Sequence, residues 1–321
     1  MMELLVRSRR QEAHDIVSFE LVNPTGDLLP PFSAGAHIDV ETLDGQTRQY
    51  SLCNSPMERH RYVIAVLREE EGRGGSKWMH DHILAGDIVR CGMPRNMFSL
   101  VEGGAGPIIL IAGGIGITPI LSMAEHLATT GRKFELHYCV RSLHRAAFVE
   151  RIRDSGFADR LTLYVSDDAS GPTFVPRLVV RGPSDERHVY VCGPEGLLQS
   201  ILTEASEQGW RNTNVHREVF ARASSTQATR LTDAEFQVEL ASSGRSYNVP
   251  PGRTVVEVLS AEGIEIPISC EQGVCGTCLT RVLAGEPDHR DCFMTDDERA
   301  SNDRFTPCCS RAFSSKLILD L

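Results

Sequence analysis

Residues 270–278 read Cys-Glu-Gln-Gly-Val-Cys-Gly-Thr-Cys, and the pair Cys308-Cys309 follows near the C-terminus. The spacing is C-x4-C-x2-C, with twenty-nine further residues before Cys308. Four cysteines spaced in this plant-type pattern hold a [2Fe–2S] cluster, three of them on one tight loop. Gly273 and Gly276 allow such a loop to curl so that backbone N–H groups face the sulfurs. The pattern therefore predicts a [2Fe–2S] site formed by Cys270, Cys275, Cys278 and Cys308.

Two other interpretations of these cysteines are a zinc site and a set of buried thiols. Zinc sites more often pair two C-x2-C knuckles, whereas only Cys275 and Cys278 form one here. Cys309 leaves the identity of the fourth ligand open. If the segment is extended, neighbouring side chains point to opposite faces and only one of the two cysteines can face a cluster.

Length and composition restrict the class of protein. The 321 residues allow two or three domains, and ten cysteines in so long a chain do not indicate a secreted disulfide scaffold. No apolar signal region begins the sequence, and no stretch has the length of a membrane span. We therefore expect a cytoplasmic protein. The net charge of −10 argues against nucleic acid as a partner.

The first hundred residues contain short apolar runs separated by turn signals, which predicts an antiparallel β-barrel. One run contains Arg48-Gln49-Tyr50-Ser51. On a strand, Arg48 and Tyr50 share one face and Ser51 lies on the other or at a bend. A cation beside an aromatic ring can hold a phosphate while the ring lies along a planar cofactor, although the same residues also suit an ordinary strand.

A glycine-rich stretch, Gly74-Gly75-Ser76, leads into a predicted short helix at 76–82. Backbone N–H groups at such a turn can bind an anion, and the alternative is a plain hairpin tip. Together with Arg48, the stretch predicts a phosphate site.

The pattern of predicted secondary structure changes after residues 102–107. Strands are predicted at Ile108–Ala112, Phe134–Val140, Leu161–Ser166 and Val189–Cys192, and helices at His144–Asp154 and Gly196–Gln208. This alternation indicates a parallel sheet with helices on both faces. A glycine turn after the first strand and Cys192-Gly193-Pro194 after the last both fall where such sheets bind nucleotides, although a packing turn without a ligand has the same composition.

Small and polar residues at 221–231 resemble a tether between domains. A predicted hairpin at 236–249 follows, and then a helix at 254–261. Thr254 and Glu257 form a capping box at the start of that helix.

The ordered set R-Q-Y-S-L, G-R-G-G-S, A-G-G-I-G-I-T-P, V-C-G-P, E-V-F and the four-cysteine pattern resembles the phthalate dioxygenase reductase family over essentially the whole chain. The resemblance implies an FMN-binding β-barrel at 1–103, an NADH-binding α/β domain at 104–226 and a β-grasp, plant-type ferredoxin domain at 227–321. It also implies an enzyme that passes electrons from NADH to FMN, then to [2Fe–2S], and then to the Rieske centre of a separate aromatic-ring oxygenase or O-demethylase. We expect a monomer.

The resemblance also assigns roles. Arg48 binds the FMN phosphate, with Tyr50 in the same motif, and Ser51 lies near the reactive flavin nitrogen. Phe220 covers the flavin. The FMN phosphate turn is Gly74, Gly75 and Ser76; the nicotinamide nucleotide contacts are Gly113, Gly114, Gly116, Thr118, Arg141, Asp167, Cys192, Gly193 and Pro194. The alignment with the family motif leaves a shift of one residue open around Ser166-Asp167-Asp168. The family spacing favours Cys308 over Cys309 as the fourth cluster ligand.

Two alternative functions remain open from the sequence. One is a reductase for another acceptor, such as a soluble di-iron hydroxylase. The other is a non-enzymatic electron carrier or redox-sensing module, in which a ferredoxin domain is fused to inert folds. Bound flavin together with NADH oxidation would exclude the second.

Overall fold

A computed structural model describes residues 1–42, 47–72, 74–101, 106–220, 233–268 and 270–321, without the side chains of 296 and 297. The chain divides into two compact units, Met1–Phe220 and Ala221–Leu321. The predicted boundaries at 103/104 and 226/227, and the predicted tether at 221–231, lie outside the described residues and stay predictions.

The first part of unit 1 is a six-stranded antiparallel sheet with one helix. Its elements are β1 (Met2–Ala13), β2 (Ile16–Val22), β3 (His37–Glu41), β4 (Thr47–Ser51), β5 (Tyr62–Leu67), α1 (Gly75–His82) and β6 (Ile88–Cys91). The strand order is β4-β3-β6-β1-β2-β5. An antiparallel bridge from Leu52, just after β4, to Ile64 of β5 brings the two edges together. The predicted antiparallel barrel is confirmed.

Strand β2 shows why the sequence forms this barrel. Val17, Phe19 and Leu21 alternate along the strand and are at most 1% exposed, packed in the barrel core. The period of two places one apolar face inward, which is the pattern of a half-buried strand.

The second part of unit 1 is a five-stranded parallel sheet with helices. Its elements are β7 (Ile108–Gly113), α2 (Ile117–Thr129), β8 (Phe134–Val140), α3 (Val149–Arg153), β9 (Leu161–Val165), α4 (Pro176–Val179), β10 (His188–Cys192), α5 (Glu195–Glu207) and β11 (Val215–Glu218). The strand order is β11-β10-β7-β8-β9. Strand β11 and helix α4 were not predicted.

Helices cover both faces of this sheet, as predicted. Ile108 and Leu110 of β7 pack in one apolar cluster with helix α2, and Ile109 and Ile111 pack in another with α5. A strand buried on both faces needs a continuous apolar run, which is why residues 108–112 lack polar side chains.

The prediction of one helix over His144–Asp154 is wrong. A short 3₁₀ turn at Leu143–Arg145 is followed by the five-residue helix α3. Phe148 separates them with a φ of 62°, in the left-handed region that a bulky residue seldom occupies. Its side chain is buried in the core, so tertiary packing overrides the helical pattern here.

Unit 2 is a small mixed sheet beside one main helix. Its elements are β12 (Phe236–Leu240), β13 (Ser246–Val249), α6 (Val255–Ala261), β14 (Thr280–Ala284), β15 (Pro287–Asp288), α7 (Asp296–Ala300), β16 (Arg304–Phe305), β17 (Arg311–Ala312) and β18 (Lys316–Leu319). The main order is β13-β12-β18-β14-β16, with β12 and β18 parallel. The predicted hairpin and capping box are confirmed: Thr254 Oγ1 accepts from Glu257 N, and Glu257 Oε2 accepts from Thr254 N.

Within the described ranges, the helices are too short or too polar to cross a membrane.

Candidate functional site

The glycine turns of the nucleotide domain meet at one edge of the parallel sheet. Strands β7 and β10 are neighbours, and their connections leave in opposite directions, so this edge is a topological switch point. A Cβ added at Gly193 would lie 2.9 Å from the Cα of Gly113, and one added at Gly116 would overlap the carbonyl of Cys192. Only glycine permits these approaches, and the result is a floor of bare backbone at the carboxyl ends of the strands.

Thr118 and Pro194 support this floor from the two helices that leave it. The Thr118 hydroxyl donates to the carbonyl oxygen of Ile115 at 3.0 Å, which fixes the turn before α2. Pro194 is the N-cap residue of α5. Gly114 has a φ of 55°, so the turn requires glycine there as well.

Arg141 and Asp167 lie side by side at the ends of β8 and β9. The Asp167 N–H donates to the Arg141 carbonyl oxygen at 2.9 Å, and both residues are exposed. The Asp168 carboxylate is already hydrogen-bonded to a neighbouring residue. Its Oδ1 accepts from the Ser170 backbone N–H at 2.9 Å and from the Ser170 hydroxyl at 2.5 Å. Asp167 is therefore the better placed of the two to meet a ligand at this edge.

Arg48 is brought to the glycine turn before α1. A Cβ added at Gly75 would lie 2.8 Å from both Cγ and Nε of Arg48. Gly74, with a φ of 86°, is the N-cap residue of α1, and the first turn of the helix holds no acidic side chain. Ser76 Oγ accepts from the Glu69 N–H at 3.1 Å. A guanidinium beside free helix N–H groups is a cradle for a phosphate.

Tyr50 lies on the same strand as Arg48, two residues on. Burial raises the pKa of its phenol, while the Arg48 charge opposes that shift, so the ring stays neutral. Its strand partner is Ile38, and that of Ser51 is His37.

Sequence reasoning missed Glu218, at the end of β11. The Ser51 hydroxyl hydrogen-bonds to its carboxyl group, and the Cys192 thiol contacts Glu218 Oε2 at 3.9 Å. Burial raises the pKa of Glu218 to about 8, although both neighbours act to lower it. The carboxyl group is therefore mostly protonated at neutral pH. The E-V-F motif contains Glu218 and could have indicated it, but only Phe220 of that motif was predicted as a site residue.

The Glu218 contacts join the two halves of unit 1. Ser51 ends barrel strand β4, whereas Cys192 and Glu218 end strands of the parallel sheet. The buried contact between the Ser122 hydroxyl and the Asn54 carbonyl oxygen, 2.9 Å, fixes the same interface. Phe220, two residues after Glu218, is 36% exposed.

The four predicted cluster ligands form two pairs. Side-chain hydrogen bonds join Cys270 to Cys275 and Cys278 to Cys308. Cys275, Cys278 and Cys308 are at most 8% exposed. The hydrogen bond from Cys270 lowers the pKa of the Cys275 thiol. Across the described part of the chain, no three His, Cys, Asp or Glu side chains are arranged to hold a single metal ion.

The loop around these sulfurs fits a [2Fe–2S] cluster. Glu271, Gly273 and Gly276 all have positive φ. Backbone N–H groups point at sulfur, from Gln272 to Cys270 at 3.3 Å and from Thr277 to Cys275 at 3.5 Å. Thiolate pairs that receive backbone N–H donors are the ligand environment that such clusters need.

The segment at Cys308-Cys309 is not extended, so the condition for opposite-facing side chains is not met. The N–H groups of Cys309 and Ser310 both donate to the Thr306 carbonyl oxygen, so the segment is a tight turn. The Cys308 and Cys309 side chains hydrogen-bond to each other instead of facing apart. Cys309 Sγ also lies 3.3 Å from Thr306 Oγ1.

Two domain families match the chain. Residues 110–203 match the oxidoreductase NAD-binding domain, and residues 238–313 match the 2Fe-2S iron-sulfur cluster binding domain. The chain is also similar to the flavohem-like FAD/NAD-binding domain of a nitric oxide dioxygenase from Vibrio cholerae, with a TM-score of 0.61 and 26% identity over 69% of this chain and 99% of that one. These folds and sites define the class: an oxidoreductase that uses a nicotinamide nucleotide, a flavin and a [2Fe–2S] cluster.

Relatives that match this chain over nearly their whole length identify the family within this class. The chain is 51% identical to vanillate O-demethylase oxidoreductase of Pseudomonas putida, over 100% of both chains. It is 43% identical to phenoxybenzoate dioxygenase subunit beta of Ectopseudomonas oleovorans, over 96% and 94%. The solved phthalate dioxygenase reductase superposes with a TM-score of 0.76 at 40% identity, over 100% and 98%. The chain belongs to the phthalate dioxygenase reductase family, whose members are reductase components of oxygenase systems, and the predicted resemblance is confirmed.

Proposed function

We propose that this protein is the NADH-dependent reductase of a Rieske-type aromatic-ring oxygenase or O-demethylase, with FMN as its flavin. The observation that carries this proposal is the contact of Ser51 with Glu218 and of Glu218 with Cys192. It places the R-Q-Y-S motif of the barrel at the edge of the sheet where a nicotinamide nucleotide would bind.

When bound, NADH supplies a hydride, FMN divides its two electrons, and the cluster carries one electron at a time. The chain's own residues hold these groups and exclude water. Arg48 and the N–H groups around Gly75 would hold the FMN phosphate. An FMN phosphate fits this cradle because it offers one terminal dianion to one guanidinium.

Glu218 and Ser51 would hold and relay a proton beside the flavin. Because the pKa of Glu218 is raised to about 8, its carboxyl group holds a proton at neutral pH. Ser51 is hydrogen-bonded to it and is buried, so its hydroxyl would be a fixed donor and acceptor beside a bound flavin. Hydride transfer itself needs no further acid or base. Phe220 would cover the flavin ring.

The glycine floor would hold the nucleotide. The residues are Gly113, Gly114, Gly116, Thr118, Cys192, Gly193 and Pro194, with Arg141 and Asp167 toward the adenosine ribose. Asp167 would repel a 2′-phosphate and so favour NADH over NADPH.

In unit 2, Cys270 and Cys275 would bind one iron, and Cys278 and Cys308 the other. The hydrogen-bonded pairs support this division. We also expect a monomer. A cytoplasmic location is expected because reducing conditions keep the thiolates available for the cluster.

The test is reconstitution. The purified holoprotein, NADH and the oxygenase component of a vanillate O-demethylase should give demethylated product in proportion to NADH consumed. Replacing the oxygenase by a di-iron hydroxylase should give no product. Product with the hydroxylase alone would identify the other acceptor class. Absence of NADH oxidation by a flavin-loaded protein would favour the non-enzymatic carrier.

A further inference from the structure

The loop that connects β5 to α1 is fixed to that helix by a chain of ion pairs. Glu70 Oε2 lies 2.8 Å from Lys77 Nζ, and Glu70 Oε1 lies 2.8 Å from Arg68 Nε. Arg68 pairs in turn with both oxygens of Asp81, at 2.5 and 3.3 Å. Lys77 and Asp81 are four residues apart on α1 and therefore lie on the same face of the helix. Four charges of alternating sign thus join the loop to the first two turns of α1.

The backbone of the same loop is restrained as well. The Arg68 N–H donates to the Asp15 carbonyl oxygen at 2.7 Å, in the turn between β1 and β2. The Glu69 N–H donates to Ser76 Oγ at 3.1 Å. A Cβ added at Gly72 would lie 3.4 Å from the Cβ of Glu69, so the loop folds back on itself. The loop is therefore a closed turn, and opening it breaks several of these contacts together.

This closed turn borders the phosphate cradle formed by Arg48 and the N–H groups around Gly75. It leads directly into α1, whose first residue is Gly75. Burial raises the pKa of the Tyr50 phenol, Arg48 opposes this shift, and the charge of Glu69 adds to it. The Glu69 carboxylate is therefore within electrostatic reach of the R-Q-Y-S motif. An anionic group that extended from the cradle past the loop would meet the carboxylates of Glu69 and Glu70.

The two common flavin cofactors differ at the phosphate that such a cradle holds. FMN ends there in a phosphate monoester. In flavin adenine dinucleotide (FAD), the corresponding phosphate continues through a second phosphate to adenosine. FMN therefore needs only the cradle, whereas FAD also needs an open path for a bulky, anionic extension. A closed turn that carries carboxylates disfavours such an extension by its volume and by its charge.

We propose that the loop at 68–72, held to α1 through Lys77, Glu70, Arg68 and Asp81, makes the cradle selective for a flavin mononucleotide and excludes FAD. The inference rests on the proposed FMN site and adds the basis of its specificity. Glu70 is the central positioning residue, because it pairs with both cations. Lys77 and Arg68 also balance its charge, which allows the loop to stay closed beside a phosphate dianion.

The size of the effect follows from the contacts that FAD must break. Glu70→Ala removes two ion pairs from the loop, and FMN binding does not require the loop to open. Because exposed ion pairs contribute little individually, the affinity for FAD relative to FMN should rise by about 2- to 30-fold. Asp81→Asn removes only the pair with Arg68 and should give a smaller rise, about 1.5- to 5-fold.

The experiment is a flavin competition in the full-length holoprotein. FMN-loaded protein is equilibrated with increasing FAD, and the flavin that stays bound is identified after free flavin is removed. The wild type should keep FMN in a large excess of FAD. Glu70→Ala should keep a full complement of FMN when FAD is absent, but exchange it at lower FAD. Glu71→Ala is the matched control, because it removes the same charge from an exposed position of the same loop and should behave as the wild type.

Asp81→Asn tests the same chain of ion pairs from outside the loop, a full turn further along α1. Its result decides the question if Glu70→Ala does not retain FMN. Wild-type affinity for FAD equal to or above that for FMN would overturn the inference. An unchanged preference in both variants, or an equal change in Glu71→Ala, would overturn it too. A wild-type protein that binds neither flavin would instead contradict the proposed function.

Discussion

Arg48 lies along Gly75, although Arg48 belongs to strand β4 of the barrel and Gly75 is the first residue of α1. The contact is so close that a Cβ at Gly75 would lie 2.8 Å from two atoms of the Arg48 side chain. The absence of a side chain at Gly75 therefore sets the position of the guanidinium. The guanidinium lies beside the first turn of α1, with Nη1 donating to the Thr47 carbonyl oxygen at 2.9 Å.

Arg48→Ala should weaken FMN binding. Charge-assisted contacts contribute roughly 1.5–3 kcal/mol, so the Kd should rise by about 10- to 150-fold. Fluorescence titration of the flavin-free protein with FMN measures this. Arg90→Ala, an exposed arginine on β6 of the same sheet, is the control and should bind FMN normally. Unchanged affinity in Arg48→Ala would show that the phosphate binds elsewhere.

Asp167→Asn should reduce the preference for NADH. Losing the carboxylate removes repulsion of a 2′-phosphate at an exposed site, an effect on the order of 1 kcal/mol, or about fivefold in relative kcat/KM for NADPH. Asp168→Asn is the matched control, because that carboxylate already binds Ser170. Equal kcat/KM for the two nucleotides in the wild type, or a larger effect at Asp168, would contradict this assignment.

Glu218→Gln should stabilise unit 1 at alkaline pH. The folded protein raises the pKa of Glu218 to about 8, so the folded state binds a proton that the unfolded state has already lost. Stability from this group is therefore complete below about pH 4, the ordinary range of a carboxyl group, and is lost as pH rises to about 8.

Flavin release on heating should show the gain from Glu218→Gln growing between pH 5 and pH 8.5. A shift of this kind corresponds to about 1.4 kcal/mol per pKa unit, so a difference of a few kcal/mol is expected at pH 8.5. The exposed Glu207→Gln should show no such trend. A gain that does not change with pH would mean that Glu218 is ionised in the fold.

Cys308→Ser should lose or strongly perturb the cluster, and Cys309→Ser should keep it. Metal sites tolerate ligand displacement of only about 0.2 Å, and Cys308 is the one paired with Cys278. Iron content, visible absorption and electron paramagnetic resonance distinguish the variants. Reduction of FMN by NADH should survive in both. The reverse order of iron content would identify Cys309 as the ligand.

Local patterns in the sequence determined much of this protein. Short apolar runs separated by turn signals, such as the run from Ile16 to Leu21, predicted the barrel, because these local signals need no distant information. The apolar run at 108–112 and the glycine turn after it predicted the parallel sheet. Cysteine spacing alone indicated the [2Fe–2S] site, since three of the four ligands lie on one loop whose reach is set by chain geometry.

Only the tertiary structure decided which distant residues meet. Glu218 is an ordinary glutamate in the sequence, and it acquires a raised pKa because folding buries its carboxyl group, even though Ser51 and Cys192 beside it act to lower that pKa. Phe148 breaks a helix that its own segment favours, because the core holds its ring. Burial and long-range contact set these properties, and no local pattern encodes them.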